Sequence, residues 1–62
     1  MNYLLLKRAL ESGLEYASEA LVRHDLELGR TTQKNQETAD QIVKDIEEIK
    51  ATLVELEMER FK

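Results

Sequence analysis

The sequence predicts an all-α protein: a two-helix antiparallel hairpin that dimerises into a four-helix bundle. Apolar residues recur at alternating three- and four-residue spacing in both halves of the chain, and a short segment containing Gly29 separates the halves. The chain has no proline and two glycines, so little else interrupts a helix. We expect one domain over residues 1–62, with helix 1 at about 3–28, a turn at 29–32 and helix 2 at about 33–61.

The two apolar series define the expected core of the oligomer. Spacing of this kind keeps one face of each helix against a neighbouring helix. The core residues are Leu10, Leu14, Ala17, Leu21, Leu28, Ala39, Ile42, Ile46, Ile49, Leu53 and Leu56. His24 occupies the same stripe, at the end of helix 1 that approaches the turn.

Helix 1 has recognisable signals at both ends. Asn2 is a suitable N-cap, and Gly29 stands where a left-handed C-terminal cap is favoured. At about 100° per residue, Leu6, Gly13 and Ala20 form one edge of the apolar arc. Two of these three residues are small, so a second helix pair can approach this edge closely.

Helix 2 has two possible starts. Thr31 or Thr32 can cap a helix that begins directly after the turn, whereas Thr38 with Gln41 three residues later fits a capping box. We favour the early start, because residues 33–41 contain no proline or glycine. The late start would also leave an unusually long connection between the helices.

The apolar face of helix 2 is wider than one partner helix can cover. Val43, Val54 and Phe61 lie beside its stripe rather than on it. A hairpin alone would leave these residues in water, and a 62-residue chain buries only a thin core of its own. Both considerations favour a homo-oligomer, with the dimer as the simplest form.

Composition excludes several classes of function. The net charge of −4 argues against broad nucleic-acid binding, and the lack of cysteine excludes disulfides and thiolate metal sites. The Tyr3–Leu6 run has neither the length nor the flanking residues of a signal peptide, and no run approaches the length of a membrane span. We therefore expect a cytoplasmic protein with no membrane association.

No motif indicates catalysis. The chain has one histidine, no cysteine, no phosphate-binding glycine loop and no metal-binding motif, so we expect no enzyme activity, no catalytic residue, no cofactor and no metal. Adjacent helical residues point about 100° apart, so we expect His24 and Asp25 not to form a pair. Two roles remain open for His24: a packed residue bonded to the loop or the opposite helix end, or a pH-sensitive or ligand-contacting group.

Basic residues near the turn suggest an alternative site. Arg23, His24, Arg30 and Lys34 are candidate contacts for phosphate or another anion, since arginine binds phosphate through two parallel hydrogen bonds. In architecture only, this alternative resembles the RNA-binding hairpin dimer Rop. Binding of RNA or a nucleotide is expected less than binding of a protein, because both helices are acidic in the middle.

Surplus apolar residues indicate that the protein acts by contact with another protein. The candidate partner surface comprises Leu4, Tyr16, Val22, Leu26, Val43, Val54 and Phe61. We expect a non-catalytic, homo-oligomeric regulator, inhibitor or adaptor of the small type that phages and plasmids encode. A structural subunit of a larger helical assembly is a further alternative.

Overall fold

The chain forms two long helices that lie side by side and antiparallel. A computed structural model describes residues 2–60, in which α1 spans Tyr3–Glu27 and α2 spans Gln33–Arg60. The described part of the chain contains no strand. The molecule measures 46 × 15 × 13 Å, which is a single layer of two helices. The all-helical hairpin expected from the apolar spacing is confirmed.

Local capping explains where α1 begins and ends. The Leu5 N–H donates to Asn2 Oδ1 at 3.2 Å, so Asn2 is the N-cap, as expected. At the other end, the Leu28 and Gly29 N–H groups both donate to the His24 carbonyl. Gly29 has φ +71°, in the left-handed region where a side chain would be strained.

A threonine cap directly after the turn starts α2. The Asn35 N–H donates to Thr32 Oγ1 at 3.1 Å, and the Gln36 N–H donates to the Thr32 carbonyl at 2.9 Å. Thr32 is therefore the N-cap, and the helix takes the earlier of the two starts. Thr38 lies inside α2, where its hydroxyl donates to the Lys34 carbonyl.

The seam between the helices is only partly removed from water. Among residues 2–60, Ala39 at 0% and His24 at 7% are the buried residues, and both lie in the half of the hairpin next to the turn. The other seam residues are half-buried, namely Leu10, Leu14, Ala17, Leu21, Ile42, Ile46, Ile49, Leu53 and Leu56. Because each helix packs only against the other, most apolar residues of the seam remain partly accessible to water.

Leu28 does not join this seam in the hairpin. The sequence placed it in the core as the last member of the helix 1 stripe, but its side chain is 60% exposed. The reason is that α1 ends at Glu27, one residue before the expected boundary. Leu28 follows as the C-cap, and its carbonyl accepts a hydrogen bond from the Asn35 side chain at 3.4 Å.

Candidate interaction surface

One side of the hairpin carries an open apolar groove between the helices. Its centre has a volume of about 440 Å³, and a second stretch of about 290 Å³ continues toward the chain termini. We call this side the groove face, and its apolar lining residues are Leu6, Leu10, Gly13 and Ala17 of α1 with Ile49 and Leu56 of α2. Tyr16 of α1 and Asp45, Glu48 and Thr52 of α2 are exposed at its rim, and Glu59 and Arg60 are exposed beside the stretch near the termini.

Close approach of the two helices forms the floor of this groove. A Cβ built on Gly13 would lie 3.8 Å from Ile49 Cδ1, an ordinary van der Waals distance. The absence of a side chain at Gly13 therefore leaves a depression beside Ile49 rather than preventing a clash. The small-residue edge expected from the sequence is open to any neighbour that approaches from this side.

Charged side chains close the opposite side of the seam near the termini. Lys7 Nζ lies 3.2 Å from Glu57 Oε1, and the Tyr3 hydroxyl donates to the same carboxylate. The hydrogen bonds from Tyr3 and then Lys7 lower the pKa of Glu57, and the bond to Glu57 raises the pKa of Lys7. The Tyr3 ring also reaches the groove side, where the Arg60 guanidinium lies 4.8 Å from its centre, within cation–π range, and both residues line the stretch of the groove near the termini.

The outer surface of α1 carries a separate apolar patch. Val22 and Leu26 are one helical turn apart and strongly exposed, with 82% of Leu26 accessible to water. They line a shallow depression of about 450 Å³, together with Ser18, Glu19, Arg23 and Glu27. We call Val22 and Leu26 the outer patch. Neither residue packs in the seam, so neither side chain stabilises the hairpin by burial.

The remaining members of the candidate partner surface are dispersed. Leu4 and Val54 are exposed in the half of the hairpin nearer the termini, Val43 is half-buried, and Tyr16 is at the groove rim. Phe61 lies outside the described residues. The seven candidates therefore belong to several surfaces rather than to one continuous interface.

Met58 is a further exposed apolar residue that was not predicted for the surface of α2. Its side chain is 63% accessible to water, comparable to the exposed Leu4. The signal was present, because Met58 is four residues after Val54 and hence on a neighbouring part of the same helix surface. Leu4, Val54 and Met58 all lie in the half of the hairpin that holds the chain termini.

At the turn, the Arg30 and Asp25 side chains form an ion pair. Arg30 donates from Nε and Nη2 to the two carboxylate oxygens of Asp25, at 3.0 and 2.9 Å. This two-point contact lowers the pKa of Asp25 and raises the pKa of Arg30. The sequence pattern did not indicate this pair, because the two residues are five apart and meet only when the chain reverses direction after Leu28.

His24 does approach Asp25, contrary to the expectation from helical geometry. Its Nδ1 lies 3.3 Å from Asp25 Oδ1. The 100° separation applies to the Cα–Cβ directions, whereas Nδ1 is the ring nitrogen nearer the backbone and a short carboxylate can turn toward it. The Nε2 atom is buried and has no hydrogen-bond partner within residues 2–60. Within the described residues the ring therefore forms no hydrogen bond to the loop or the opposite helix, which the first of the two open roles for His24 included.

The four candidate anion contacts do not converge on one site. His24 is buried in the seam, Arg30 binds Asp25, Arg23 lines the outer patch and Lys34 lies in the first turn of α2. A phosphate would have to replace the Asp25 carboxylate to gain the Arg30 side chain. This arrangement favours a structural role for the basic residues near the turn.

The placement of metal-binding side chains and the comparison with known proteins give no further indication of function. Residues 2–60 contain no group of three or more histidine, cysteine or acidic side chains placed to hold a metal ion. Neither of the two helices is long and apolar enough within the described range to cross a membrane. No family model, curated protein or solved structure matches the chain. The surfaces described above are therefore the basis for any proposal about function.

Proposed function

We propose that the protein is a non-catalytic, homo-oligomeric regulator, inhibitor or adaptor that acts by binding another protein. The observation that supports this proposal is the apolar surface left in water. Among residues 2–60, eight large apolar side chains are exposed while only Ala39 and His24 are buried. Such a distribution is typical of a chain that is completed by association, because exposed apolar patches of this kind mark interaction sites.

The outer patch is the surface we assign to a foreign partner. Val22 and Leu26 lie side by side on α1, facing away from α2, with Arg23 and Glu27 at their margin. Two apolar anchors bordered by charges suit the side of a helix or a shallow cleft on a protein. A dimeric scaffold would present two copies of this patch.

Binding of RNA or a nucleotide receives less support. The arginine side chain best suited to grip phosphate, Arg30, donates two hydrogen bonds to Asp25. The chain carries a net charge of −4, which opposes contact with a polyanion. We also propose a cytoplasmic location, which agrees with a chain that has no cysteine.

Affinity capture after crosslinking in the source cells tests the foreign-partner proposal. We expect the unmodified chain to recover a defined protein, and Val22→Glu with Leu26→Glu to reduce its recovery at least about tenfold, because two charges would enter an apolar contact. Both positions are exposed on α1, so the double variant should keep its helicity.

A matched control separates the patch from the added charge. Ser12→Glu with Gln41→Glu introduces the same two negative charges at exposed polar positions, and recovery should stay unchanged. Equal recovery by the outer-patch variant and the control would contradict the assignment of Val22 and Leu26. Recovery of no protein by the unmodified chain would contradict the proposed function itself.

A further inference from the structure

The two open sides of the hairpin differ in the residues that a second helix pair would meet. At about 100° per residue, the edge of the seam on the groove side is apolar on both helices, and Asp45, Glu48 and Thr52 of α2 lie beyond it at the rim. The residues of this edge recur at seven-residue intervals, as Leu6, Gly13 and Ala20 on α1 and as Ile42, Ile49 and Leu56 on α2. A seven-residue recurrence on both helices lets a neighbour pack along the whole length of the groove.

The other side differs because it holds an ion pair within the seam. Lys7 and Glu57 are half-buried and lie 3.2 Å apart, and Glu57 belongs to the same seven-residue series of α2 as Val43 and Lys50. On the groove side, the charged residues Asp45, Glu48, Glu59 and Arg60 are instead exposed at the margin. Burial of the Lys7–Glu57 pair beneath another hairpin would remove two charges from water. The desolvation free energy exceeds the attraction between the charges unless the geometry is excellent. A bundle core is therefore favoured on the groove side and opposed on the other.

The exposed area of the chain matches the requirement of a dimer. A compact monomer of 7.2 kDa exposes about 4100 Å², whereas this hairpin exposes 5110 Å². The difference of about 1000 Å² is close to the roughly 800 Å² that each partner buries in a stable protein interface.

We infer that a second copy of this chain packs on the groove face, so that the two hairpins form a four-helix bundle with the outer patches left outside. This inference rests on the self-association proposed above and specifies its surface. A two-fold interface places the same face on both copies, so each groove contributes its own apolar lining to one shared core. The Lys7–Glu57 pair stays at the solvent-facing side of each hairpin.

Single cysteines test which side becomes covered, and the chain has no cysteine of its own. Thr52 is at the groove rim, and Val54 is two residues later on the other side of α2; both are exposed in the hairpin. We expect the alkylation rate of Thr52→Cys to fall at least about tenfold when the protein concentration is raised through the dimer range. The rate for Val54→Cys should stay constant.

A matched pair of charges tests the same surface by affinity. Thr52→Glu should raise the dimer dissociation constant at least about tenfold, because symmetry adds two carboxylates to one interface beside Asp45 and Glu48 of each copy, and Val54→Glu should change it less than about threefold. Sedimentation at several concentrations measures both constants. Slower alkylation of the Val54→Cys variant but not of the Thr52→Cys variant, with dimerisation intact, would overturn the choice of face alone. A chain that stays monomeric at all concentrations would overturn self-association as well.

Discussion

His24 is the residue whose surroundings fit its chemistry least well. Its side chain is 6% exposed, and one ring nitrogen faces Asp25 while the other is buried with no hydrogen-bond partner in the described part of the chain. A buried polar atom without a partner costs about 1–3 kcal/mol. The ring therefore contributes to the seam mainly by filling space in the half of the hairpin that also holds Ala39, the other buried residue.

Replacement of His24 by an apolar residue of similar size should stabilise the protein. We expect His24→Leu to raise the free energy of unfolding by about 1 kcal/mol, because the unpaired Nε2 is removed. His24→Ala should lower it by about 2 kcal/mol, because a cavity is left in the seam. Urea unfolding at one fixed protein concentration measures both changes. If the leucine variant lost as much stability as the alanine variant, the imidazole would have a polar role that packing does not explain.

At the scale of the helices, local sequence signals account for the ends. Asn2, Gly29 and Thr32 each perform the capping role that their residue type predicts. At the early start of α2, Thr32 accepts two hydrogen bonds, from the Asn35 N–H to its hydroxyl and from the Gln36 N–H to its carbonyl. Thr38 makes an internal helix bond instead, to the Lys34 carbonyl.

Two threonine variants distinguish these roles. Thr32→Ala removes the cap of α2 and should lower the free energy of unfolding by about 1 kcal/mol. Thr38→Ala removes only a bond within the helix at an exposed position and should change stability by less than about 0.5 kcal/mol. Thermal unfolding followed by circular dichroism measures both. A larger loss from Thr38→Ala would mean that α2 begins later than Gln33.

Contacts between the helices were less predictable than the helices themselves. The Lys7–Glu57 pair joins residues 50 positions apart, and it depends on the register of the hairpin, which apolar spacing alone does not determine. When each chain is followed from its N- to its C-terminus and viewed from one end of the hairpin, one helix turns clockwise and its antiparallel neighbour turns anticlockwise. The small-residue edge of α1 and the Val43 and Val54 flank of α2 consequently lie on opposite sides of the hairpin.

The shape of the whole molecule follows from its thin seam. A compact domain of 62 residues has a radius of gyration of about 10.6 Å, whereas the hairpin has 14.3 Å. Two helices in one layer cannot enclose a core, and the half-buried seam residues show the result. The stability of the fold thus depends on what covers the apolar groove, whereas the proposed binding of a foreign protein is assigned to the separate outer patch.

Sedimentation equilibrium on the unmodified chain, with helicity recorded by circular dichroism over the same concentrations, tests most directly whether the hairpin is incomplete alone. We expect a folded species of twice 7.2 kDa at micromolar concentration, with helicity falling as dilution dissociates it. A fully helical species of 7.2 kDa at every concentration would contradict self-association and would show that the open groove is tolerated in water.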